Sequence, residues 1–403
     1  MTAIPEPLST PPAHDPASIL EHFADLPDPR REQGLIHRLD EIIFMATCAL
    51  FCGAETWEQI ADYAHSKIDW LQTILTLPGG IPSHDTFRRV FCRLDPLAFQ
   101  KCFYAWMTAL MERRGLIPLA ADPPALRPIA IDGKAQRGSA RRTVGRSALH
   151  VVSAWAVANR LTLGQVATDA KSNEITVIPE LLALLDLKGT VVTIDAMGCQ
   201  KDIAADIIEG EGQYVLAVKE NQPHLYQDIE RAFEEVLECG EPGVDFTECQ
   251  TEGVRSGRQE TRSCCAITEP KGLRDAGLWA GLMAIVMVIS QRVVNGVVGS
   301  ETRYFIGSAP GTAEDYLRWV RGHWGIENSL HWVLDVCFHE DDQRHWAGNS
   351  AENLAWLRKL ALCLLKAEKN SKGKSIATRR LLAGWKNDYL LSVLAQIPEK
   401  SGA

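Results

Sequence analysis

Apolar and polar positions along this chain follow two different periods, and the change of period divides it. From about residue 17 to 121 the pattern is helical. Leu39 to Cys52 is almost wholly apolar, which predicts a helix buried on every side. Thr56-x-x-Gln59 is a capping box opening the next helix, through Ala64. Pro82 to Leu94 begins with cap residues and sets Phe87, Val90, Phe91 and Leu94 inward, with Arg89 and Arg93 four apart on another face. Residues 1–16 read as a flexible leader, and the proline-rich stretch Pro123 to Pro128 ends the helical domain.

After that linker come short apolar runs. Pro128 to Asp132 is one strand; His150 to Val157 and Leu161 to Thr168 are two more, joined at Asn159-Arg160. A helix over Glu174 to Leu185 has Pro179 inside it. Thr190 to Ile194 is a buried strand, Asp202 to Ile208 a helix and Tyr214 to Val218 a strand, an order that predicts a mixed α/β sheet. Residues 223–302 read as a β-rich insertion, with alternating segments at Thr247 to Thr251 and Gln259 to Ile267 and an Asn295-Gly296 hairpin signal. Helices resume at Ala313, with more around Leu354 to Leu365 and Tyr389 to Ala395. The α/β core is therefore expected over 128–222 and 303–365, with a basic helical tail over 366–403.

The charge balance is acidic: 42 Lys and Arg against 51 Asp and Glu give a net charge of −9. That argues against a protein that coats nucleic acid, but phosphate binding needs only local basic patches. One follows Asp132, with Lys134, Arg137, Arg141, Arg142 and Arg146. Another runs from Lys366 to Lys386 and includes Lys372, Lys374, Arg379 and Arg380. The eleven cysteines lack zinc-site spacing and read as reduced thiols. The start of the chain has no secretory pattern, and the longest apolar run, Ala280 to Ile289, is too short to span a bilayer. The expected location is cytoplasmic, without a membrane partner.

Three acids carry the candidate chemistry. Asp132 closes the first apolar strand, Asp195 the fourth, and Glu327 lies on a later helix among Trp324, Ile326, Leu330 and Trp332. Phosphodiester cleavage and strand transfer need two divalent cations, Mg²⁺ or Mn²⁺, held by a few hard oxygen ligands. Two strand-end aspartates and a helix glutamate supply such a set, with Asp132 placed to bridge. Singly, each acid is more simply a turn, a helix cap or a solvated carboxylate. His323, His331 and Asp335 share the glutamate's helix and could support the acids, and Asn221 ends the strand nearest Asp195.

The segments Ile131-Asp-Gly-Lys134, Val192-Thr-Ile-Asp-Ala-Met197, Tyr214 to Gln222 and His323 to Asp335 resemble the DDE insertion-sequence transposases of the ISAs type, the group of H-repeat-associated proteins of Rhs elements. Gly80 to Phe91 is similar to that group's helical N-terminal domain. The resemblance spans roughly residues 20–395. It implies an RNase H-like mixed-sheet catalytic core with a β-rich insertion, preceded by the helical domain as a candidate binder of DNA ends. It implies Mg²⁺-dependent cutting at element ends and 3′-OH attack on target DNA. The triad falls on Asp132, Asp195 and Glu327. Double-stranded DNA and a second copy in a synaptic homodimer are the expected partners. Lys134, Arg137, Arg141, Arg142, Lys372, Lys374, Arg379 and Arg380 are candidate DNA contacts. Where the wider superfamily has Arg and Lys around the glutamate, this chain has His323 and Leu334, so Arg318 and Arg321 are the candidate replacements. Ser256 stands where the insertion is expected to carry a His. The alternatives are a silent DNA-binding relic, a stand-alone RNase H-like nuclease and, from paired acids alone, a carbohydrate-active enzyme. The basic loop beside Asp132 argues against the last.

Overall fold

The structure is a computed structural model that describes residues 18–31, 35–113, 126–140, 147–158, 160–168, 174–239, 245–255, 258–294, 297–368 and 371–395. The chain forms two compact units. One comprises Met1–Ile117, Cys337–His339 and His345–Ala403; the other comprises Pro118–Val336 and Glu340–Arg344.

The first unit begins with helices α1 (Ser18–Phe23), α2 (Leu39–Phe51), α3 (Trp57–Ser66), α4 (Ile68–Leu71), α5 (His84–Arg93) and α6 (Pro96–Arg113). Every residue of α2 is buried, as its unbroken apolar run requires. The capping box is formed: Gln59 N donates to Thr56 Oγ1 (3.2 Å) while Thr56 N donates to Gln59 Oε1 (3.2 Å). Phe87, Val90, Phe91 and Leu94 are fully buried, each worth about 1.5–3 kcal/mol of transfer free energy.

The second unit is built on one nine-stranded sheet: β1 (Arg127–Gln136), β2 (Leu149–Ala156), β3 (Leu161–Thr168), β4 (Thr190–Ile194), β5 (Gln213–Val218), β6 (Asp245–Arg255), β7 (Arg258–Thr268), β8 (Ala284–Val294) and β9 (Val297–Gly307). The spatial order is β3-β2-β1-β4-β5-β9-β8-β7-β6. β1 pairs parallel with β4 and β4 with β5; the remaining pairings are antiparallel. The insertion strands thus extend the core sheet, because β9 returns alongside β5. β8 and β9 flank the Asn295-Gly296 signal and pair down to Val294↔Val297, though the tip itself lies outside the described residues. Helices α7 (Glu174–Leu182), α8 (Lys201–Glu209), α9 (Pro223–Cys239), α10 (Ala313–Ile326) and α11 (Trp332–Phe338) follow in chain order. Helix α9 was not expected inside the β-rich stretch, yet Leu225, Ile229 and Phe233 recur at four-residue steps and are buried in the core of this sheet.

The expected division of the chain needs one correction. The sequence pattern places residues up to 365 in the α/β core, but α12 (Ser350–Ala367) belongs to the first unit. Asn353 through Leu365 are buried without a break, and a helix buried on all sides needs neighbours on several sides. There Asn353 Nδ2 donates to Phe91 O (3.0 Å) and Leu94 O (3.1 Å), satisfying carbonyls at the end of α5. The basic tail likewise folds into α13 (Ile376–Trp385) and α14 (Asn387–Ala395), part of the same unit. Among the described residues, no helix is long and apolar enough to cross a membrane.

Candidate active site

The site grows from a split in the sheet. β1 and β4 run together from Arg127↔Thr190 to Ile131↔Ile194 and then part. Asp132 and Asp195 are the next residue on each, so both carboxylates emerge where the strands diverge. Asp132 does not end its strand, as expected from the apolar run. β1 continues to Gln136, paired with β2 alone, because β2 goes on supplying hydrogen-bonding partners after β4 has turned away. Asp195 caps the following turn, its Oδ1 accepting from Met197 N (3.1 Å) and Gly198 N (3.4 Å). Asn221 Nδ2 donates to Ala196 O (2.7 Å), and Gln222 Nε2 to Cys199 O (2.9 Å), so the end of β5 holds that turn in place.

Helix α10 brings the third acid. It packs over β1 and β4 and opens at Glu327–His331 into a π-type turn, a widening often found at functional positions. Close approach depends on Gly325: a Cβ there would lie 2.6 Å from Cζ3 of the buried Trp155. Glu327 is exposed toward a cavity of about 850 Å³ that also holds Asp132, Asp195, His323, Asn221 and Trp324.

The three acids influence one another. Asp195 is raised above the usual carboxylate range by burial and by the negative charges of Asp132 and Glu174. Glu327 is raised by burial and by Asp132 and Asp195. His323 lies beneath them. The Thr193 hydroxyl donates to Ile129 O (3.3 Å), so its lone pair accepts from His323 Nδ1 (3.0 Å). Burial pulls this imidazole below its ordinary value despite the pull of Asp132 and Asp195, and it is neutral near pH 7. His331 is buried, with Nδ1 3.3 Å from Asp132 Oδ2 and, among the described residues, Nε2 without a hydrogen-bond partner.

The donor set fits hard divalent cations. It offers carboxylate oxygens only, and it concentrates negative charge that two of the three acids resist carrying. Among the described residues no three His, Cys, Asp or Glu side chains gather around one point. Mg²⁺-type ions need only one or two carboxylates each, with water and substrate oxygens completing the shell, so a closed cage is not required of these residues.

The other expected site residues divide. Lys134 is not a DNA-facing cation. Its Nζ lies 2.7 Å from Asp335 Oδ1, 3.1 Å from Glu340 Oε2 and 3.2 Å from Asp341 Oδ1. Burial pulls this ammonium down, but the three carboxylates outweigh it and hold it above its ordinary value. Asp335 consequently serves Lys134 rather than His331. Arg137 is exposed and 3.5 Å from Asp341; Arg141, Arg142 and Ser256 lie outside the described residues. Arg318 is exposed and paired with Asp315 at 2.5 Å, and Arg321 is exposed on α10. Leu334 is buried.

In the other unit Lys372 and Lys374 are exposed, but Arg379 and Arg380 are buried. Arg379 donates to the carbonyls of Leu365, Glu368, Ser371 and Lys374, and Arg380 to those of Leu50 and Cys337. Both close helix ends that would otherwise leave buried acceptors unmet. Sequence reasoning missed His150, whose Nε2 pairs closely with Glu174, and Thr193 beneath His323. Only the strand-alternation position of Thr193 signals its inward course; His150 and Glu174 are too far apart for any local pattern.

A mixed sheet that splits between two aspartates and faces a helix-borne glutamate is the plan of an Asp-Asp-Glu protein. Residues 20–107 match the family model described as DDE_Tnp_1-associated, and residues 123–364 match the transposase DDE domain. The second match covers more than half of the chain, and the chain belongs to the DDE transposase family. It is 39% identical over 387 residues to "Putative transposase YncI" of Escherichia coli O157:H7, covering 95% of each chain. It is 37% identical over 382 residues to "H repeat-associated putative transposase YhhI" of Escherichia coli strain K12, covering 94% of this chain and 97% of that one. A cryo-EM structure of a piggyBac transposase synaptic complex with hairpin DNA aligns at a TM-score of 0.39 and 10% identity, over 96% of this chain and 79% of that one. That likeness is too distant to inform the fold or the site.

Proposed function

We propose that this chain cuts DNA at the ends of an insertion element and joins the freed 3′-OH to target DNA, using Asp132, Asp195 and Glu327. The observation that carries the reading is the emergence of Asp132 and Asp195 at the parting of β1 and β4, with Glu327 facing the same cavity. The strand order β3-β2-β1-β4-β5, with the first three antiparallel and the last three parallel, supports an RNase H-like core. Asp132, Asp195 and Glu327 would hold the two Mg²⁺ or Mn²⁺ ions. Bound there, such ions supply activation of the attacking oxygen and neutralisation of charge at the phosphorus.

The chain's own groups prepare the site. Asn221 and Gln222 fix the turn that aims Asp195. His331 contacts Asp132, and neutral His323 packs under the acids without adding a charge that would compete with cations. Joining ends requires two copies to bring two DNA ends together, hence a homodimer in the working complex.

The test is a cleavage and strand-transfer assay with Mg²⁺ on DNA carrying the sequences that flank the gene. Wild type cuts and joins; Asp132→Asn, Asp195→Asn and Glu327→Gln bind the same DNA and do neither, a loss of at least about 10³-fold. Retention of activity by Asp132→Asn overturns the assignment.

A further inference from the structure

On the insertion strands, one face of the sheet changes character along its length. Under α10 that face is apolar: Cys264, Ala266, Val286, Val288 and Phe305 pack with Tyr316, Leu317 and Trp319 of the helix. Side chains alternate with period two, so the next residues outward on the same face are Arg262 of β7, Ser290 and Arg292 of β8, and Glu301 and Arg303 of β9. The register agrees, placing Glu260 opposite Arg292, Arg262 opposite Ser290 and Val288 opposite Arg303. The strands outrun the helix and leave a groove of about 570 Å³, with Arg321, Trp324 and Asn328 of the α10 segment as its other wall.

This groove is basic and preorganised. Four arginines face two glutamates. Glu260 holds Arg262 (2.6 Å) and Arg292 (2.9 Å), and Glu301 holds Arg303 (2.8 Å). Each glutamate fixes guanidinium groups without neutralising the set, leaving an excess of two positive charges, with Arg321 exposed among the four arginines. Glu301, Arg303, Val320 and Trp324 line both this groove and the acid-lined cavity, so the two are continuous. The ridge between them is Arg303, its guanidinium 4.5 Å from the Trp324 ring centroid. A cavity lined by three carboxylates repels phosphate, whereas the adjoining groove attracts it. Arginine forks suit phosphate oxygens better than lysine ammoniums do.

We propose that the arginine groove formed by Arg262, Arg292, Arg303 and Arg321 is the bed of the DNA backbone where it leaves the acid-lined cavity. This rests on the reading of the cavity as the cleavage site. The groove binds phosphates of one strand next to the scissile position and sets how the duplex enters.

The test uses the full-length chain carrying Asp132→Asn and three duplexes with the element's end. One stops at the cleavage position, one continues about one helical turn into the element, and one continues as far into flanking DNA. Binding is followed by fluorescence anisotropy across a salt series. Arg292→Ala and Arg321→Ala should each weaken at least one extended duplex several-fold and lower its salt slope by about one, sparing the short duplex. Arg292→Lys should restore the slope, which separates charge at the groove from a folding defect. Equal binding of all three duplexes by parent and alanine variants overturns the groove proposal while leaving the transposase reading intact. No DNA binding by the parent overturns both.

Discussion

Lys134 lies two residues beyond Asp132 on β1, and its cage ties that strand to the segment that follows the glutamate's helix. Lys134→Met keeps an unbranched side chain one atom shorter and removes its charge. The magnitude follows from the exposure of its three partners. Glu340 is 2% exposed, so water cannot replace the ammonium; Asp335 and Asp341 are 34% and 26% exposed and recover part of their hydration. Removing one partner of a buried pair costs about 3–5 kcal/mol. Partly open pairs add at most about 1 kcal/mol each. Most of the loss is therefore assigned to Glu340, and the total to about 3–7 kcal/mol. The pH dependence has a definite sign. Asp335 is already raised by burial, against the lowering pull of Lys134; with the ammonium gone it rises further, and a raised acid contributes stability at low pH that is lost as pH rises. The deficit of the variant should shrink between pH 7 and pH 5. The raised Lys134 itself contributes fully below its unfolded value of 10.5, so it is constant over that range. Urea unfolding of both proteins at the two pH values measures this. A loss under about 1 kcal/mol at both, together with several-fold weaker DNA binding, would show a free phosphate contact and refute the cage.

Two further outcomes follow from the packing. Gly325→Ala should cost about 1–3 kcal/mol through overlap with the buried Trp155 ring, and the displaced Glu327 should lower cleavage about 10²-fold with DNA affinity kept; cleavage at the wild-type rate would show that α10 has room to spare. Glu352 of α12 is pushed up to about 7 by burial, with Asp95 adding and Lys359 opposing. Its contribution is complete below 4.5 and lost as pH rises to about 7. Glu352→Gln should therefore be more stable than wild type by up to ~3 kcal/mol at pH 8 and gain nothing at pH 4; parallel urea curves at the two pH values would contradict that burial.

The acids were legible in the sequence and the cations were not, for one physical reason. A strand that ends an apolar run is a local event, so Thr190 to Ile194 could be bounded to the residue and Asp195 placed just beyond it. The helix caps at Thr56 and Ser83 are local in the same sense. Even Asp132, whose strand runs on to Gln136, still meets Asp195, because what matters is where β4 parts from β1 rather than where β1 stops. A basic residue takes its role from an acceptor that can lie anywhere in the chain. Lys134 finds Glu340 across 206 positions, and Arg380 finds Leu50 O across 330. A count of local charge ranks Arg379 and Arg380 with their neighbours Lys372 and Lys374, yet the arginines are consumed by carbonyls at helix ends and the lysines remain exposed. The arginines of the insertion are the converse case. Spread over three strands, they form no run in sequence, and only the register of β7, β8 and β9 gathers them. What gathers basic side chains onto one surface of this chain is therefore shared strand face rather than basic density in sequence.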